Sequence, residues 1–372
     1  MMPPSWPIFV IPNIYRSNEH FLSVLKRFDL YGESFHKANE GGGKLLIFIG
    51  MKKRDFELCV AEEFGSIVLY RISKPTNNSI VFGIKCLIKL QSLKVKRATL
   101  VASNLYFGFL SCLVVRILSP RKIKIQVSVH GSVIRPGDGP LIERLRRSYL
   151  KFLFARADSI RTVSDFLRQD LSQSFRIPGV KLFVAPIPVD IPIVDLPKEN
   201  SKVIAFVGRM HAERGVDEWA EIIASLYSQR DDFSIYLIGS GPQELVLKSR
   251  LESISPHLLV SSFGYLDRKE LQKKWGQIQV FFSSAPSEGY GLSIREALTT
   301  ATFVCARESE GSEIVSLQFP EVVKTYRSRD EAVRILNEML ERTFPIQIAL
   351  NFTRELRDLN TDYVHSLVET WA

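Results

Sequence analysis

Short, almost wholly apolar runs recur along the 372-residue chain, each followed by a longer stretch with helical spacing, and this alternation limits the possible folds more than any other feature. In the second half the runs are VIAFVG (203–208), SIYLIG (234–239), LLVSSFG (258–264), VFFSSA (280–285) and FVCA (303–306). The first half repeats the rhythm with IFVIPN (8–13), KLLIFIG (44–50), SIVLYRI (66–72), ATLVAS (98–103), IKIQVSVH (123–130) and SIRTVS (159–164). Strands that are apolar on both sides must be covered on both sides, which calls for parallel sheets with helices on each face. The length exceeds what one core usually fills. The stretch PIPVDIPIVDLPKEN (186–200), with four prolines, reads as the connection between two Rossmann-like α/β domains, 1–190 and 191–350.

Charge divides the same way. Residues 1–200 hold 30 Lys and Arg against 16 Asp and Glu, whereas residues 201–372 hold 19 against 24. The basic excess includes the segment ERLRRSYLKFLFAR (143–156), where Leu145, Tyr149, Phe152 and Leu153 fall near one helical face flanked by Arg144, Arg147 and Lys151. Such a domain is expected to favour an anionic membrane surface. Nucleic acid is not expected, because no recognition motif or aromatic-interleaved basic stripe is present.

Cys59, Cys86, Cys112 and Cys305 are widely spaced and have no histidine at ligand spacing, so they read as reduced core thiols. The apolar stretch 98–118 has the length of a membrane span, but Asn104, Gly108 and Arg116 interrupt it, and a strand followed by a buried helix is expected instead. The opening MMPPSWPIFVIP lacks a basic leader, so the expected location is cytoplasmic, peripheral at the inner face of a membrane.

In open parallel sheets, ligands bind beyond the carboxyl ends of the strands. Three glycine-containing motifs lie there: GRMHAERG (208–215), GSGP (239–242) and SEGYGLSIREAL (287–298). Arg209 and Arg214 can converge on one anion, a diphosphate being the obvious candidate. Glu288 and Glu296 flank a glycine turn, and as acceptors they suit sugar hydroxyls, while backbone N–H groups between them suit an anion. Taken singly, each motif also fits an ordinary turn or helix start.

Taken in order, GRx4(K/R)G, GxGP, FGYLDRKEL and SEGYGLSIREAL resemble the C-terminal domain of the retaining GT-B glycosyltransferases of family 4. SVHGS (128–132), ARADSIRTVSDF (155–166) and APIPVD (185–190) resemble that family's N-terminal strand ends, so the resemblance covers most of residues 95–345. It implies two Rossmann-like domains facing across a cleft, with residues 351–372 as a helix crossing back to the first domain. It also implies hexose transfer from a nucleoside-diphosphate-sugar to a saccharide or lipid-linked acceptor, as in polysaccharide or lipopolysaccharide synthesis. Retention, and the absence of any metal or other cofactor, come with the family; no Asp-x-Asp occurs in the chain.

By the same resemblance the catalytic set is Glu288, His130, Arg209 and Arg214. Donor-binding positions are Gly208, Arg209, Arg214, Gly239, Gly264, Glu288, Gly289, Tyr290, Gly291, Leu292 and Glu296, with the arginines on the diphosphate and Glu296 on the ribose. His130 reaches the donor sugar or the acceptor. The family's N-terminal glycine loop is missing, leaving Arg16 and Ser17 as acceptor-side candidates. Further departures are Arg214 for lysine, Thr300–Val304 where relatives have a glycine and a proline, and a shortened Glu310–Glu313. A sugar-nucleotide epimerase or hydrolase, or a catalytically silent partner subunit of the same fold, stays open on the residues alone.

Overall fold

The computed structural model describes residues 6–11, 18–38, 44–51, 62–73, 78–102, 104–131, 133, 140–189, 191 and 201–371. The chain divides into two compact units, residues 1–188 with 361–372, and residues 189–360. The boundaries therefore fall at 188 and 361, where the sequence placed them at 190 and 351.

The first unit contains strands β1 (Trp6–Ile11), β2 (Leu45–Met51), β3 (Glu62–Phe64), β4 (Ile67–Ser73), β5 (Arg97–Ala102), β6 (Lys122–Val129), β7 (Ser159–Thr162) and β8 (Leu182–Val184). They form one sheet in the order β3-β4-β2-β1-β5-β6-β7-β8, parallel except for the β3–β4 pair. Helices α1 (Asn18–Ala38), α2 (Ser79–Ser92), α3 (Phe107–Leu118), α4 (Pro140–Arg156) and α5 (Asp165–Phe175) connect them. Right-handed crossovers toward β8 put α2 to α5 in one layer, and the opposite step from β1 to β2 puts α1 on the other face. Side-chain caps start two of these helices: Asn78 accepts from Ile80 and Val81 N–H, and Ser164 from Leu167 N–H. The stretch 98–118 is strand β5 followed by α3, with Phe109, Cys112 and Val115 buried. Among the described residues no helix is long and apolar enough to cross a membrane.

The second unit has strands β9 (Val203–Val207), β10 (Ser234–Ile238), β11 (Leu259–Gly264), β12 (Val280–Ser283), β13 (Phe303–Arg307) and β14 (Val323–Tyr326). All pair in parallel, in the order β11-β10-β9-β12-β13-β14. Helices α6 (Val216–Tyr227), α7 (Glu244–Ile254), α8 (Arg268–Trp275), α9 (Leu292–Thr299), α10 (Glu310–Gln318) and α11 (Arg329–Glu341) alternate with them. Asp267 starts α8 in a full capping box with Glu270. Burial pushes the thiols of Cys86, Cys112 and Cys305 above their usual range, so these three are inert core groups; Cys59 lies outside the described residues.

Where the sequence departs from the family's glycine and proline, helix α9 ends in a Schellman motif. Ala301 N–H donates to Leu298 O at 3.2 Å and Thr302 N–H to Ala297 O at 3.1 Å, with Ala301 at φ 53°. The Thr300 and Thr302 hydroxyls, 3.1 Å apart, bind Ala297 O and Ile278 O and hold the turn in place. A Cβ in this left-handed region is strained. Ala301→Gly is therefore expected to raise unfolding stability by about 1 kcal/mol in denaturant titration; a loss of stability would contradict the strain.

One last helix, α12 (Ile346–Glu369), begins in the second unit and ends in the first. The tail after it is anchored by Trp371, fully buried against Phe9, Tyr31 and Phe35. Its indole N–H donates to Gln126 Oε1 at 3.1 Å, and Gln126 Nε2 donates to Thr370 Oγ1 at 2.8 Å. Gln126 is itself fully buried on β6, so the tail supplies hydrogen bonds that a core amide requires. Trp371→Ala should cost about 3–5 kcal/mol in the same titration; a change below about 1 kcal/mol would show that the tail only decorates the first unit.

Candidate functional site

In the second unit β9 and β12 are neighbours, yet β9 leads on to β10 on one side and β12 to β13 on the other. That divergence opens a crevice at their carboxyl ends, and the loops GRMHAERG and SEGYG leave from the two strands there. Ser284, fully buried just after β12, donates its hydroxyl to both Arg214 O (3.1 Å) and Gly215 O (2.8 Å). Gly215 has φ 66°, and a Cβ on it would stand 2.2 Å from Ser284 O. Glycine is thus required twice over, and the clasp fixes where Arg214 emerges before α6.

Arg214 Nη1 lies 2.7 Å from Glu288 Oε2. These side chains are 31% and 22% exposed, whereas Arg209, paired with Glu213 at 3.0 Å, is 63% exposed. The two arginines are therefore not equivalent: Arg214 is held in place, and Arg209 stands in solvent. The second oxygen of Glu288 accepts Gly291 N–H at 3.2 Å, and its backbone carbonyl accepts Gly311 N–H at 2.6 Å. A Cβ at Gly311 would lie 2.5 Å from that carbonyl, so the glycine retained in the shortened Glu310–Glu313 segment lets α10 back directly onto the turn.

A small open cleft lies here, walled by Gly208, Arg214, Glu288, Ser293 and Ile294, with strand-end residues such as Phe206 and Ser283. Helices α6 and α9 start beside it at Gly215 and Gly291, and neither has a side-chain cap. First-turn N–H groups and the dipole of α9 are thus available to an anion.

Of the donor-binding positions expected from sequence, Gly208, Arg214 and Glu288 line this cleft, and the Gly289–Leu292 turn is tied to it through the Gly291 N–H bond to Glu288. Gly239 packs beneath them instead: a Cβ there would lie 1.9 Å from Gly208 O. Gly264 has φ 61°, and its carbonyl accepts Gly239 N–H at 2.7 Å. Tyr290 is buried, with the Arg295 guanidinium 4.1 Å over its ring and hydrogen-bonded to its carbonyl, so its side chain anchors the turn. Glu296 is partly buried in the second turn of α9 and is not among the residues that wall the cleft. His130 is exposed at the carboxyl end of β6 in the other unit. Arg16 and Ser17 lie outside the described residues. The sequence reading missed Ser284, Ser293 and Gly311; only the position of Ser293 just inside a helix start could have marked it. Among the described residues no three His, Cys, Asp or Glu side chains are grouped to hold a metal.

Residues 191–350 match the family described as glycosyl transferases group 1, and residues 55–191 match glycosyltransferase family 4. A 2-deoxystreptamine glucosyltransferase of Streptomyces kanamyceticus is 26% identical over 161 residues, 43% of this chain and 42% of its own. The chain spans less than half the length of the curated relatives it matches. Among solved structures, Anabaena HepE in complex with UDP superimposes with TM-score 0.69 at 13% identity, covering 98% of each chain. The lipopolysaccharide outer core galactosyltransferase WaaB does so with TM-score 0.68 at 13% identity, covering 98% of this chain and 99% of its own. With two abutting family matches spanning residues 55–350, two parallel-sheet units, and the family's motifs at the strand ends of the second, the chain belongs to the family 4 glycosyltransferases of GT-B fold.

Proposed function

We propose that the chain transfers a hexose-type sugar from a nucleoside-diphosphate-sugar to a saccharide or lipid-linked saccharide, with retention of configuration and without a metal. The observation that carries this reading is the Arg214–Glu288–Gly291 constellation beside the uncapped start of α9. Breaking the bond between sugar and diphosphate builds negative charge on the leaving oxygen. A fixed guanidinium and preorganised N–H groups stabilise that charge with little rearrangement. Glu288 keeps Arg214 extended while the site is empty; when a donor binds, the phosphate competes for the guanidinium and the carboxylate is left to accept hexose hydroxyls. Arg209 adds a second cation, and Glu296 takes the ribose hydroxyls.

The comparisons support the donor class: HepE is described with UDP, and the Streptomyces relative is named a glucosyltransferase. Uridine nucleotides are therefore the first to try. A thermal-shift screen should show stabilisation by a uridine diphosphate or its sugar, about 2.7 kcal/mol at a hundredfold excess over Kd. Arg214→Ala and Glu296→Ala should each abolish the shift, and Arg209→Ala should weaken it. Unchanged shifts in the first two would place the donor elsewhere, and no shift with any nucleotide would leave a silent subunit.

Glu288→Gln should keep the fold and still accept Gly291 N–H, but lower kcat about 100-fold or more, read as nucleoside diphosphate released with a panel of saccharides. Product analysis by NMR completes this test. Free sugar or an epimer in place of a glycoside would overturn transfer, and an inverted anomer would overturn retention.

A further inference from the structure

Helices α2, α3 and α4 lie side by side in one layer of the first unit. Gly83 of α2 sits so close to Ser111 and Val114 of α3 that a Cβ would come within 2.8 Å of both, and Tyr106 before α3 stacks on Tyr149 of α4 at 5.7 Å. The sheet side of this layer is ordinary core, with Phe82, Cys86 and Leu90 from α2 and Leu150, Leu153 and Phe154 from α4. Its outer side is not an ordinary surface. Ile80, Ile84 and Ile88, four residues apart on α2, are 59%, 40% and 60% exposed. Leu141, Leu145 and Phe152 form a second exposed stripe along α4, the first two more than half exposed. The face expected on α4 is therefore divided: Leu153 is core, while Leu145 and Phe152 point outward.

Charge on α2 to α4 is one-sided, although Arg116 pairs with Asp158 just beyond α4 at 3.0 Å. The three helices carry eight Lys or Arg and one acid, Glu143, which is ion-paired with Arg147 at 2.8 Å. Arg144 and Lys151 flank the α4 stripe, and the Arg156 guanidinium covers the Phe152 ring at 3.6 Å.

We infer that this face of the first unit docks on an anionic phospholipid surface, its two apolar stripes entering the headgroup boundary and its cations meeting lipid phosphate. A second copy of the chain fits poorly, because a twofold contact would set cation against cation. The inference deepens the lipid-linked acceptor of the proposed function and rests on that reading for its purpose, not for its observations.

The test is co-sedimentation of the full chain with phosphatidylcholine vesicles, with and without roughly one-third phosphatidylglycerol. Binding should be at least about tenfold tighter to the anionic vesicles and should fall as salt rises. Leu141→Ser with Leu145→Ser, and separately Ile84→Ser with Ile88→Ser, change only exposed positions and should each weaken it about tenfold. Arg144→Glu with Lys151→Glu should remove the preference for anionic lipid. Stabilisation by nucleotide should be unchanged in all three double variants, so loss of vesicle binding with that shift intact is a docking result alone. No sedimentation with anionic vesicles, or a dimer in solution dissociated by the isoleucine substitutions, would overturn the proposal. Vesicle binding without any nucleotide shift would overturn the proposed function and leave the docking surface standing.

Discussion

The buried hydroxyl of Ser284, shared between the carbonyls of Arg214 and Gly215, is the contact on which the site depends. It joins the end of β12 to the start of α6, two points about 70 residues apart that meet only because the sheet order makes β9 and β12 neighbours. Arg214 and Glu288 leave from opposite sides of this clasp, and their 2.7 Å ion pair is the result. Half-buried and backed by Gly311, the pair is geometrically defined in a way that an exposed pair such as Arg209–Glu213 is not. The site is thus set by backbone approach, which explains the glycines at 215 and 311: at both, a Cβ would meet a carbonyl within 2.5 Å.

Much of this was legible from sequence because parallel sheets write themselves as unbroken apolar runs. Each run in the second half became a strand, and the glycine motifs fell at strand ends, where the topology demands ligand sites. What stayed hidden were contacts between segments distant in sequence. Ser284 looks like any serine after a strand, and nothing local marks its two acceptors. Gly239 is a related case: a glycine in a turn can face a ligand or another backbone, and here the space for a Cβ is filled by the Gly208 carbonyl. The Thr300–Val304 departure shows the converse, since a left-handed turn forms there without glycine, through two threonine hydroxyls and a strained alanine.

In the first unit the helical periodicity of α4 was visible, but its orientation was not. Leu145, Tyr149, Phe152 and Leu153 do lie near one another on the helix, yet the sheet takes Leu150, Leu153 and Phe154 and leaves the others outside. A helix with apolar residues on more than one side does not state which side is core, and neighbouring packing decides. The tail is a similar case. Trp371 reads as one apolar residue at a chain end, and only the buried amide of Gln126 in the middle of the sheet gives it a specific address.

The two units share an architecture but use charge differently. In the second unit cations are largely matched to acids, as where Lys202 and Arg230 both meet Asp232 and Glu341 and hold those carboxyls below their usual range. Exposed networks of this kind contribute little to stability, but they leave little net field. On α2 to α4 the cations have one acid among them and border exposed isoleucine and leucine. An exposed apolar surface is costly for solubility, and an excess of like charge beside it adds nothing to the core beneath. Its retention on one layer of one unit is best explained by a surface that takes both properties at once.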